Sequence, residues 1–211
     1  ISYGADFYSG GVIMELPLDR KRITDLEKVE PSFAITKAGD VNIFSTIKTP
    51  YGNIEKEVAI SSCKENVSLN YDLSKFGEMI GSVRVGIITL LNQFSKENTT
   101  FSCYNGGKNS ELFELFGQFD HTKPASTLVS SSRGLGATTG KIQINNSNKS
   151  INLTWDPSEG AVMPMLQKNS INDKNLSRVV FSMKETDDTV KSPTKVGNFC
   201  LNIEGSEKKE P

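Results

Sequence analysis

Histidine and cysteine are scarce in this chain of 211 residues, which has one histidine and three cysteines. His121 lies in the polar stretch FDHTKP, where an exposed loop histidine is expected rather than a general base. Cys63, Cys103 and Cys200 show none of the short spacings typical of a zinc site. The sequence therefore predicts no catalytic residue, no bound metal and no cofactor.

The cysteine count also bears on location. Secreted disulfide scaffolds usually carry an even and denser set, so three distant cysteines favour a reducing compartment. One bridge, either Cys63–Cys200 or Cys103–Cys200, stays open as the alternative and would favour an extracellular surface.

Long apolar runs and an excess of one charge are missing as well. No apolar stretch approaches the ~20 residues that a membrane helix needs. The net charge of −1 provides no overall field to attract nucleic acid or an anionic membrane, so such binding would need a local patch. The densest basic cluster is the candidate nucleic-acid contact and consists of Arg20, Lys21, Arg22 and Lys28; a solvated surface is its ordinary interpretation.

Apolar residues make up 36% of the chain, below the usual globular average, which favours a fold with much surface and many loops. The length suits one large domain. We expect a single β-sandwich domain over residues 1–205 and a flexible tail over 206–211.

Strand patterns outnumber helical patterns. Segments with period-two alternation, or short apolar runs bounded by turn residues, predict strands at 10–18, 40–49, 55–63, 66–73, 82–91, 99–104, 140–145, 150–155, 178–185 and 197–205. The segments 140–145 and 150–155 should form a hairpin. The fold class predicted is mainly β: a jelly-roll-like β-sandwich with one or two short helices.

Two segments carry the helical signals. RITDLEKV (22–29) has apolar residues three apart and a capping-box pair, and Pro31 follows it. NSELFELFGQF (109–119) has an N-cap candidate and an apolar stripe. Its aromatic side, Phe113, Phe116 and Phe119, is the predicted surface for self-association, although core packing is the default for such a stripe.

SVRVGIITLL (82–91) is apolar on both sides of a strand, apart from Arg84 near its start. A half-exposed strand would alternate, so this segment should be a central strand covered on both faces.

The glycine-rich stretch SSSRGLGATTGK (130–141) does not satisfy two phosphate-binding patterns. A P-loop has four residues between its first glycine and its Gly-Lys pair. In this chain five residues separate Gly134 from Gly140. The dinucleotide-binding fingerprint has two residues between its second and third glycines, whereas three separate Gly136 from Gly140. A flexible surface loop is the favoured interpretation.

RITDLEKVEPSFAITKAGDVNIFSTIK (22–48), GSVRVGIITLLNQF (81–94) and TTFSCYNGGKNSELFELFGQF (99–119) resemble, in order and pattern, segments of the thirty-kilodalton superfamily of plant-virus movement proteins. Where that family usually has an Asp at the end of the second strand, this chain has Asn105. The resemblance implies a jelly-roll-like sandwich that is not an enzyme, self-associates and binds single-stranded RNA without sequence preference.

The same resemblance implies location in the host cytoplasm and at plasmodesmata, which the protein would modify for cell-to-cell spread. The implied partners are a second copy, RNA or viral ribonucleoprotein, and host plasmodesmal or membrane components, with no small-molecule substrate. One alternative, an extracellular adhesin or pilin-like subunit, explains the Asn, Ser and Thr richness equally well. Another is a viral coat or matrix subunit, which shares the fold but would assemble into a shell. An enzyme ranks last among these expectations.

Overall fold

A computed structural model describes residues 8–90, 94, 98–114, 132–171, 174–187 and 189–207. Fifteen strands lie in these ranges and form two antiparallel sheets, and no α-helix occurs among the residues described. The prediction of a mainly β sandwich is confirmed. None of the described segments forms a helix long and apolar enough to cross a membrane.

The smaller sheet has six strands in the order β10-β13-β14-β7-β1-β2. Its strands are β1 (Gly11–Leu16), β2 (Lys21–Thr24), β7 (Ser82–Leu90), β10 (Ser132–Gly134), β13 (Met163–Ile171) and β14 (Lys174–Glu185).

The larger sheet has nine strands in the order β3-β4-β5-β6-β15-β12-β11-β8-β9. Its strands are β3 (Ser32–Ile35), β4 (Val41–Thr49), β5 (Gly52–Ile60), β6 (Asn66–Asp72), β8 (Thr100–Cys103), β9 (Glu111–Glu114), β11 (Lys141–Asn145), β12 (Lys149–Thr154) and β15 (Phe199–Glu207). The predicted hairpin is present, because β11 pairs with β12 from Lys141 opposite Thr154 to Asn145 opposite Ser150.

The main core lies between the two sheets. Phe181 of the six-stranded sheet contacts Phe199 of the nine-stranded sheet with ring centres 5.4 Å apart, and the rings of Trp155 and Phe181 meet edge to face with centres 5.3 Å apart. Fully buried aliphatic residues such as Val12, Val85 and Leu201 fill the space around these rings. Burial of this apolar surface is the dominant favourable contribution to folding.

β7 is a central strand, as its sequence predicted, since it lies between β14 and β1. Val83 and Val85 face the main core. On the opposite face Ile87 belongs to a second buried cluster, with Ile13, Met165 and Val180. A β-bulge shifts the alternation of side chains along β7, because Gly86 and Ile87 together oppose the single residue Val180 of β14. Residues before and after the bulge can therefore contribute to the clusters on both faces of the sheet.

The predicted helix at 22–29 is wrong. Residues 21–24 form β2, where Ile23 pairs with Met14, and the rest of the segment is irregular. Tertiary pairing outweighed the local helical preference of the three-residue apolar spacing. A hairpin with β1 satisfies the backbone hydrogen bonds and places Ile23 against the core. In the predicted helix at 109–119, residues 111–114 form β9, and 115–119 lie outside the described residues.

Candidate functional site: the Arg84 pocket

A pocket of about 480 Å³ lies at one end of the six-stranded sheet, beside the turn between β1 and β2. We call it the Arg84 pocket. Its lining comes from β1, the turn, β2, β7 and the end of β14: Glu15, Leu16, Pro17, Arg20, Lys21, Arg22, Ser82, Arg84, Glu185, Thr186 and Asp187. Seven of these eleven side chains carry formal charge, so the pocket is suited to a polar ligand.

Arg84 organises the wall of the pocket, and its side chain is only 3% exposed. Its Nε and Nη2 donate to the two carboxylate oxygens of Glu185 at 2.7 and 2.8 Å. Its Nη1 donates to Glu15 at 3.2 Å, and Glu15 accepts in turn from Arg22 at 2.7 Å. The paired geometry between a guanidinium and a carboxylate fixes both groups in position.

Strand register explains why these groups meet. Ser182 of β14 and Ile13 of β1 both lie opposite Arg84, while Glu15 pairs with Arg22 on its other side. The side chains therefore share the face of the sheet that points away from the main core. The hydroxyl of Ser182 also donates to Glu185 at 2.7 Å, which further fixes that carboxylate.

Two opposing effects act on the guanidinium of Arg84. Burial lowers the pKa of Arg84, but the hydrogen bonds and charges of Glu185 and Glu15 raise it, and the net direction is upward. Arg84 is therefore a permanent cation whose charge is balanced by two carboxylates. The arrangement gives a rigid, hydrogen-bonding wall with little net charge.

Ser82 supplies an unused hydroxyl in this pocket. It lies opposite Glu15 on β1 and opposite Glu185 on β14, and the residue is 7% exposed. Its Oγ is buried and has no hydrogen-bond partner among the described residues. A buried hydroxyl without a partner costs free energy, and such groups are often completed by a ligand or by water.

The turn at the mouth of the pocket contains a residue with left-handed backbone geometry. Arg20 has φ of 50°, and its N–H donates to the carbonyl of Pro17 at 3.3 Å. Hairpin turns commonly need one such residue, usually glycine or asparagine. An arginine here carries a conformational cost while it places an exposed cation at the pocket's rim.

The structure divides the predicted basic cluster. Arg20, Lys21 and Arg22 line the pocket, whereas Lys28 is exposed in the irregular segment before β3. Sequence reasoning missed Glu15, Arg84 and Glu185. Arg84 had a usable signal, because it is the only charged residue within an otherwise apolar strand.

Two of the other predicted residues, Asn105 and Phe113, have structural contacts. Asn105 donates to Glu111 at 3.0 Å and accepts from the N–H of Ala137, so it joins the β8–β9 connection to the glycine-rich segment. Phe113 is partly buried against the main core, while Phe116 and Phe119, like His121, lie outside the described residues. The N–H of Thr138 also donates to the carbonyl of Tyr104, so hydrogen bonds hold the loop at residues 135–140 in place.

The three cysteines are unpaired: Cys63 is exposed, Cys103 buried and Cys200 half-buried. Burial raises the pKa of the Cys103 and Cys200 thiols. Across the described ranges, no group of three or more His, Cys, Asp or Glu side chains is placed to hold a metal ion.

A second ionic cluster lies away from the pocket. Asp25 is 1% exposed, accepts from Lys56 at 2.8 Å and from the N–H of Val12 at 3.0 Å, and is also bonded by the hydroxyl of Tyr8. The Lys56 Nζ lies 5.8 Å from the centre of the Tyr71 ring. These contacts tie the segment after β2 to both sheets.

No family model and no curated protein matches the chain. Among solved structures it is similar to a candidate aldose 1-epimerase from Escherichia coli K12, with 8% identity and a TM-score of 0.47. The similarity covers 87% of this chain and 70% of the other.

This finding corrects the function predicted from the sequence. The solved structure is described as a candidate aldose 1-epimerase, which stands against the predicted viral movement function with its plasmodesmal role. The expectation of a non-enzymatic protein is corrected by the same similarity.

Proposed function

We propose that this chain binds a carbohydrate in the Arg84 pocket. The observation that carries the proposal is the Ser82 hydroxyl, which has no partner in the part of the chain that the structure describes and lies in a pocket whose fixed side chains alternate between donors and acceptors. A sugar hydroxyl donates and accepts at once, so guanidinium and carboxylate neighbours satisfy both of its capacities. The volume of about 480 Å³ lies in the range of small-molecule sites.

Other ligand classes suit the pocket less well. A phosphate would meet Glu15, Glu185 and Asp187, and Arg84 is already bound to two of these carboxylates. An apolar ligand would cover the charged lining and give the Ser82 hydroxyl no partner. A neutral polyhydroxylated ligand avoids both costs, and Arg20 and Lys21 at the rim remain available for further hydrogen bonds.

Titration of the ¹⁵N-labelled chain with neutral aldoses, a sugar acid and inorganic phosphate, followed by amide NMR, tests the proposal. We expect the neutral aldoses to shift the amides of residues 15–22, 82–84 and 185–187, and phosphate to shift them least. Ser82→Ala should weaken binding about fivefold to tenfold, since one hydrogen bond contributes ~1 kcal/mol.

Ser177→Ala is the matched control. Ser177 is also buried with an Oγ that has no partner in the part of the chain described, but it lies opposite Leu90 at the far end of β7. Aldose binding unchanged by Ser82→Ala, or absent from the pocket amides of the parent chain, would overturn the proposal. Exchange between the anomeric proton signals of the α and β anomers of the aldose, recorded in the same samples, shows whether the chain also interconverts the two anomers.

A further inference from the structure

The edge of the nine-stranded sheet at β3 is unusually open. Among the described residues β3 pairs only with β4, and residues 30–39, which include all four residues of β3, are exposed there. Phe33 is 73% and Ile35 66% exposed, although they are large apolar residues. An open strand edge with exposed apolar side chains is a template for pairing with another strand.

Both apolar side chains lie on one face of the sheet. Phe33 is opposite Ile43, and Ile35 is opposite Val41, which pairs in turn with Ile60. Ile60 is 40% exposed as well. The result is an apolar stripe that reaches the free edge of β3 and ends there.

The hydrogen-bond pattern shows which backbone groups face that edge. The N–H of Thr36 donates to the carbonyl of Asp40 on the β4 side at 2.9 Å. Because alternate residues of an antiparallel strand face opposite neighbours, Ala34 also faces β4. The backbone groups of Phe33 and Ile35 therefore point outward.

We propose that β3 pairs antiparallel with β3 of a second copy, across a two-fold axis at Ala34. This register keeps the apolar side chains of both copies on the same face of the joined sheet. It places Phe33 of each copy opposite Ile35 of the other. The outward backbone groups of these two residues then pair with each other. Cross-strand pairs between aromatic and β-branched residues are favourable.

Charge selects the antiparallel arrangement. Glu30 precedes β3 and Lys37 follows it; both are exposed, and the described residues show no ion pair for either. In this antiparallel register Lys37 lies opposite Pro31 and one residue away from Glu30 of the second copy at both ends, so opposite charges approach, whereas parallel pairing would bring like charges together. The two-fold uses both β3 edges, so the assembly closes as a dimer.

Sedimentation velocity over a range of protein concentrations tests the pairing. We expect the parent chain to pass from monomer to dimer as its concentration rises. Glu30→Lys should weaken the dimer roughly tenfold, because two attractive pairs become repulsive. The double variant Glu30→Lys/Lys37→Glu should restore the affinity to within about threefold of the parent.

Lys28→Glu is the control, since it changes a nearby exposed charge outside the paired segment. It should leave the dimer unchanged. Ile35→Pro removes an outward N–H while sparing the bonds to β4, so it should abolish the dimer, with the folded state checked by circular dichroism. A parent chain that stays monomeric at every concentration, or a double variant as weak as Glu30→Lys, would overturn the proposal.

Discussion

Gly86→Ala tests the bulge that lets β7 serve two faces. Gly86 has φ of +61°, and a β-carbon added there would lie 3.2 Å from Leu201 and Phe199 and 3.3 Å from Phe181. The left-handed backbone costs an alanine ~1–2 kcal/mol. Crowding in a packed core costs ~1–3 kcal/mol more. We expect the free energy of unfolding to fall by about 2–5 kcal/mol, measured by equilibrium urea denaturation.

Two other glycines separate the backbone cost from the packing cost. Gly106 has φ of +85°, but no described atom lies within 4 Å of an added β-carbon, so Gly106→Ala should show the backbone cost alone, about 1–2 kcal/mol. Gly160 also has open space and no left-handed φ, so Gly160→Ala should be neutral or slightly stabilising. If Gly86→Ala destabilised the chain no more than Gly106→Ala, the argued crowding by the core would be refuted.

Three further predictions concern buried polar groups. Arg84→Met should lower the free energy of unfolding by about 2–3 kcal/mol in urea denaturation, because it leaves Glu185, whose side chain is 29% exposed, without its cation. Lys56→Met should cost about 3 kcal/mol in the same assay, and adding Asp25→Asn should recover part of that loss. Burial raises the pKa of Tyr71, so the stability it contributes is complete below the unfolded pKa of ~10 and is lost as pH rises above it. Tyr71→Phe should reduce this alkaline loss in thermal melts.

Each of these predictions has a contrary result. Equal stability of Arg84→Met and the parent would mean that the glutamates hydrate freely without Arg84. An additive double variant at Lys56 and Asp25 would show that the ion pair is not coupled. An alkaline stability profile of Tyr71→Phe that matches the parent would assign the loss to other groups.

The sequence by itself determined the β class and the place of the most apolar strand. A period of two is a local property, so alternation in residues 41–47 and the mainly apolar segment at 82–91 could be recognised without knowing any partner strand. The hairpin of β11 and β12 was also predictable, because its connection is short and polar. In each case neighbours along the chain carry the information.

Only the tertiary structure decided the rest. RITDLEKV has a helical spacing, yet pairing with β1 made its first part a strand, because packing outweighs a weak local preference. The Arg84 pocket depends on pairs 69 and 101 residues apart, Glu15 with Arg84 and Arg84 with Glu185. No local pattern records such separations. Strand order and register bring these charges to one face, and long-range pairing alone sets both.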